Sequence, residues 1–154
     1  MYEPRSNQRI LRFVNVLRPC ILFICTCALG CGSGSPYDYV KVKGKVSYED
    51  GTAFPGAGLR VRFAPQNPPK VENATPRPAF ARLDAEGKFD SVTSYKYGDG
   101  LIPGKHKVAI EAADGPGNKM SVPKEYQSVS TTPLTIDTAE SPLDIKVPKP
   151  KANR

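Results

Sequence analysis

The side chains with most chemistry to offer are four thiols, all between positions 20 and 31: Cys20, Cys25, Cys27 and Cys31. Thiolates bind soft metals or exchange disulfides, and the C-x-C pair Cys25/Cys27 is half of such a site. The sequence supplies no second pair, and its one histidine is His106. That histidine would need a serine and an acid beside it to drive acyl transfer. It instead shares the parity of Val108 and Ile110 in "KHKVAIEA", an inward packing position on a strand. Asp84, Glu86 and Asp90 flank Gly87 in "DAEGKFD", but the D-x-[DN]-x-[DN]-G order of a calcium loop is absent, and a hairpin turn is expected. No glycine-rich stretch precedes a helix, so no phosphate cradle is read. Tyr95 and Tyr97 in "SYKYGDG" are the speculative ligand contacts, either an exposed patch for sugar stacking or strand residues packed on neighbours. No catalytic, cofactor-binding or metal-binding residue is assigned, and no enzyme activity is expected.

The thiols instead sit in a segment with the pattern of an export signal. Residues 1–30 carry Arg5, Arg9, Arg12 and Arg18 against Glu3, and "PCILFICTCALG" from Pro19 to Gly30 has no charge. As a helix that run reaches about 18 Å, short of a hydrocarbon core about 30 Å thick. Extending it back to Ile10 would bury Arg12, Asn15 and Arg18, and a central arginine alone costs about 2.5–3.5 kcal/mol. The pattern predicts a signal-peptide core, with a retained signal-anchor as the alternative.

The closing residues Ala28-Leu29-Gly30-Cys31 resemble the lipobox of bacterial lipoproteins, in which a small residue precedes an obligatory cysteine. Leucine here lies two residues before the cysteine, where the usual pattern has it three before. The resemblance implies cleavage before Cys31 and a diacylglyceryl group on its sulfur, so Cys20, Cys25 and Cys27 would leave with the signal. "GSGSP" then reads as a flexible tether. The expected organisation is a signal peptide at 1–30, a lipid-attachment cysteine and linker at 31–38, a folded domain at 39–148 and a basic tail at 149–154. The expected place is the bacterial cell envelope, membrane-anchored through the lipid and facing the periplasm or the exterior.

Positioning in the domain falls to strands. In "YVKVKGKVSY" Val40, Val42, Val46 and Tyr48 take one parity and Lys41, Lys43, Lys45 and Ser47 the other. Gly44 stands on the apolar parity, where a bulge or a close approach is expected. "EDGT" is a turn, "LRVRFAP" puts Leu59, Val61 and Phe63 inward, and the four prolines of Gln66–Pro78 make a loop. "AFARLD", "KFDSV", "KHKVAIEA", "PLTIDT" and "PLDIKVP" supply further strands, and Pro123 is placed to open one helical turn through Tyr126. Gly 13 and Pro 16 in 154 residues suit short strands with many turns. An all-β fold follows, an antiparallel sandwich of about seven strands.

The ordered motifs V-x-G-x-V (Val42–Val46), D-G-T (Asp50–Thr52), D-x-x-G-x-F (Asp84–Phe89) and G-x-x-P-G-K (Gly100–Lys105) resemble the carboxypeptidase regulatory-like domain, a transthyretin- or prealbumin-like sandwich. "VPKEY" at 122–126 and T-x-L-x-I at 132–136 extend the resemblance over most of 40–147. It implies a module that is usually not catalytic itself, and names no ligand. The expected role is display of loops or an edge strand, with an envelope protein or a polysaccharide as the expected partner. Nucleic acid is not an expected partner. Of the +7 net charge, residues 31–154 hold 18 basic against 14 acidic groups, interspersed rather than striped with stacking aromatics.

Overall fold

Leu59, Val61 and Phe63 are buried while Arg60 and Arg62 between them are half-exposed, the period-two pattern of a strand with one dry face. The computed structural model describes residues 34–113 and 122–150. Cys31, the export segment and the end of the basic tail lie outside them. Seven strands follow in order: β1 (Gly44–Tyr48), β2 (Leu59–Pro65), β3 (Ala79–Arg82), β4 (Lys88–Phe89), β5 (Lys105–Ala112), β6 (Thr135–Asp137) and β7 (Leu143–Val147). They form two sheets, β4-β1-β7 and β3-β2-β5-β6, so the fold is an all-β sandwich. Every pair is antiparallel except one: β1 and β7 run parallel, from Gly44 opposite Leu143 to Tyr48 opposite Val147.

One core joins the sheets. Phe63 of β2 and Phe89 of β4 meet across it with ring centroids 5.9 Å apart, and Ile110, Val46, Ile145 and Val147 fill in around them. Each such side chain contributes about 1.5–3 kcal/mol by leaving water. Loops contribute as well: Phe54, Val92, Leu101 and Val122 belong to no strand and are all buried. Phe54 packs edge-on against Tyr48 at 5.4 Å.

Gly44 justifies its lack of a side chain. A Cβ there would meet the carbonyl oxygen of Leu143, and would lie 2.8 Å from Leu143 Cβ and 2.9 Å from the Phe89 ring. The Asp50-Gly51 turn forms with Gly51 at φ 81°, its amide donating to the Tyr48 carbonyl. Lys149, the first residue of the basic tail, reaches Asp50 Oδ2 at 2.6 Å and lies over the Tyr48 ring. That ammonium, helped by Thr52, holds the Asp50 carboxyl well below the usual range.

Several residues depart from the simple alternation. Val40, expected inward, is 38% exposed, because the chain there makes only an isolated bridge to Leu101 and joins β1 later. Ser47, expected outward, is buried: its hydroxyl donates to Asp144 at 3.4 Å and accepts from Lys146 at 3.0 Å, both on the parallel neighbour. Tyr37, within the expected linker, is 6% exposed and donates its hydroxyl to the Ala74 carbonyl at 2.9 Å. The packed domain therefore begins at least two residues before position 39. Pro123 stands immediately before a 3-10 turn at Lys124–Gln127 rather than as its first residue.

Candidate functional site

Register places a charged aromatic cluster on the outer face of the larger sheet. Arg60 on β2 stands opposite Arg82 on β3 and opposite Glu111 on β5, while Arg62 stands opposite Phe80. The Glu111 carboxylate ties the β2 arginines together: Oε2 accepts from Arg60 at 3.0 and 3.3 Å, and Oε1 accepts from Arg62 at 3.2 Å. The Phe80 ring receives both guanidinium groups, Arg60 at 4.5 Å and Arg62 at 5.5 Å from its centroid. Arg62 Nε is fully buried there without a hydrogen-bond partner.

The β3 edge carries the neighbouring loop. Phe80 and Thr93 exchange two backbone hydrogen bonds of 2.9 Å, which seals that edge and brings residues 90–97 beside the cluster. A turn follows, built on Asp99: its carboxylate accepts from the backbone amides of Ser94, Tyr95 and Lys96, each at 2.8 Å. Thr93 Oγ1 accepts from the Gly98 amide at 3.1 Å, and Ser94 Oγ donates to the Gly100 carbonyl at 2.6 Å. Gly98 and Gly100 both take positive φ, and at Gly100 a Cβ would strike the Val40 carbonyl. Tyr97, 91% exposed, is held out at the tip.

Between the loop and the sheet face lies a cleft of about 350 Å³. Arg60, Phe80 and Arg82 line it from the sheet, and Asp90, Ser91, Thr93 and Tyr97 from the loop. It offers cations, an acceptor carboxylate, hydroxyls and aromatic surface within one concavity, the composition of a small-ligand site.

The tyrosines expected as ligand contacts thus separate. Tyr97 lines the cleft, whereas Tyr95, 41% exposed, sits under the Arg77 guanidinium at 5.3 Å and is not among the lining residues. Arg60, Arg82 and Phe80 were not singled out from sequence. Outward arginines on two strands are an ordinary surface pattern until pairing puts them side by side. His106 is buried on β5 between Pro65 and Ile136, with Nδ1 3.2 Å from the Gly104 carbonyl. Burial pushes its pKa down, opposed by that hydrogen bond and by Asp137. Among the described residues no three or more His, Cys, Asp or Glu side chains gather where they can hold a metal ion. Compared with protein-family models, with curated proteins and with solved structures, the chain has no match.

Proposed function

We propose that this chain is an exported, lipid-anchored and non-catalytic β-sandwich module of a bacterial cell envelope, displaying its loops or an edge strand to a protein partner. The observation that carries the reading is the join between the cysteine and the domain. Cys31 ends an uncharged run with a small residue before it, and Tyr37, the first buried side chain among the described residues, follows six positions later. Six residues extend to at most about 20 Å. A lipid on Cys31 would therefore hold the sandwich close against the bilayer. A multi-chain anchor is effectively permanent, at about 0.8 kcal/mol per buried CH₂.

Seven strands in two sheets support reading the strand motifs as those of a carboxypeptidase regulatory-like module. The position of His106, packed on a strand inside the domain, supports a display role over a catalytic one.

The test is Cys31→Ser in a bacterial host, followed by membrane fractionation and intact-mass measurement. Wild-type protein is expected in the membrane fraction with acyl mass on a chain starting at Cys31, and the variant in the soluble fraction. A wild-type chain with an unmodified Cys31 would refute the anchor.

One observation favours a second reading, a carbohydrate- or small-ligand-binding accessory module: Tyr97 is 91% exposed beside a formed cleft. Display and binding are compatible in one anchored domain.

A further inference from the structure

The smaller sheet ends in an open edge. β7 pairs with β1 on one side and with no described strand on the other. The other outer edges are short or covered: β4 has two residues, β6 has three, and β3 is sealed by the bridge from Phe80 to Thr93. The Leu143 amide donates to the Lys43 carbonyl and the Val147 carbonyl accepts from the Glu49 amide, so both residues turn their backbone groups toward β1. Successive residues of a strand alternate sides, so the N–H and C=O groups of Asp144 and Lys146 point out of the edge. Among the described residues nothing pairs with them. Such an edge is a template for another strand. The next outward positions on either side are Pro142 and Pro148, which have no N–H to give. The open ladder is therefore confined to residues 144–146.

We propose that this edge pairs antiparallel with β7 of a second copy of this chain, about a two-fold axis at Ile145. In that register Asp144 of each copy stands opposite Lys146 of the other. Each such pair exchanges both its hydrogen bonds and sets opposite charges side by side on the outer face. Within one chain Asp144 and Lys146 already lie 3.2 Å apart, with half-exposed side chains, and the lysine also reaches Ser47. The unpaired backbone groups are what a second strand satisfies, and the charges choose its register. An axis at Asp144 or at Lys146 would set like charges opposite each other and put a proline at a donor position. The match is self-complementary about the axis, as an isologous contact between identical chains requires. Five residues of edge make a smaller contact than a stable interface has, so the dissociation constant is expected at about 0.1 mM. The inference rests on the edge-strand display reading above and names the edge and its partner.

The experiment is sedimentation equilibrium of the full chain in excess detergent, at concentrations up to about 1 mM. It compares wild type, Asp144→Lys, Lys146→Asp and the double exchange Asp144→Lys/Lys146→Asp. Thermal melts should stay close to the parent, because the two side chains are solvent-accessible and their ion pair contributes little. Wild type is expected to dimerise, and each single exchange to weaken the dimer about tenfold. The double exchange keeps both the net charge and the opposition across the axis, so it should return to within about twofold of wild type. Wild type that stays monomeric throughout would overturn the inference. Dimers that the single exchanges leave intact would place the contact on another surface or in the micelle, and a double exchange that fails to recover would break the register; either overturns it too. Every outcome is read whether or not Cys31 carries a lipid, so the anchor is judged separately by the fractionation test.

Discussion

Replacing Gly44 with alanine sets two effects of opposite sign against each other. Glycine inside a strand costs about 0.5–1 kcal/mol relative to alanine, and Gly44 is not among the glycines at positive φ. On backbone grounds alone the variant would be more stable. Sterically, the new methyl would lie 2.8 Å from Leu143 Cβ and 2.9 Å from the Phe89 ring, where carbon pairs prefer about 3.5–4.0 Å. It would also meet the Leu143 carbonyl. β1 cannot slide away, because Gly44 is paired on both sides, with Phe89 and with Leu143. Overpacking of this kind costs about 1–3 kcal/mol, so the net loss is expected at about 1–2 kcal/mol, or about 4–8 °C in Tm. Urea unfolding followed by tyrosine emission suits a chain with seven tyrosines and no tryptophan. The midpoint should fall with the slope unchanged. Gly51→Ala is the reference: at φ 81° with nothing within 4 Å of its Cβ, it should lose about 1 kcal/mol through backbone strain alone. A Gly44→Ala protein as stable as the parent would refute the close approach of β1 to both neighbours.

Two further outcomes are expected. Because burial lowers the His106 pKa below 6.5, the unfolded chain holds more protons than the folded one between the two values. Stability should therefore fall as pH drops through 6.5, by at most about 1.4 kcal/mol per pH unit, and level off below the folded value. His106→Leu should lose that slope, and denaturation midpoints across pH 5–8 (roughly the range in which histidine titrates) would show it; a slope surviving the substitution would assign it to other groups. Asp99→Ala removes the acceptor of three backbone amides, so amide exchange at positions 94–96 should accelerate while β2 and β5 stay protected.

Alternation along single segments carried much of the fold in the sequence. Leu59, Val61 and Phe63, and later His106, Val108 and Ile110, point inward as their parity requires. Gly44 on the apolar parity marks a real close approach, and Asp50-Gly51 a real turn. What the sequence did not disclose depends on partners distant along the chain. Ser47 is buried by groups on β7, and Phe54, Leu101 and Val122 enter the core from segments without any period. The parallel pairing of β1 with β7 leaves no mark in either segment, since each reads as an alternating strand whichever way its neighbour runs. The cleft was half legible: an aromatic pair in a glycine-bearing loop drew attention to Tyr97. Arg60, Phe80 and Arg82 became a site only through the β2–β3 register and the bridge at Thr93.

The stitch between β1 and β7 bears on how such a chain could travel. Until β7 arrives β1 has for neighbours the two residues of β4 and an isolated bridge from Ser47 to Ala53, and the loop that the β1–β7 pairing closes is about a hundred residues long. Closing it costs about 4 kcal/mol of chain entropy. A polypeptide emerging amino end first, from a ribosome or through a translocation pore, keeps its smaller sheet open until residue 147 is out. Late closure makes the smaller sheet the last part of the fold to be completed, after every strand of the larger sheet has been made.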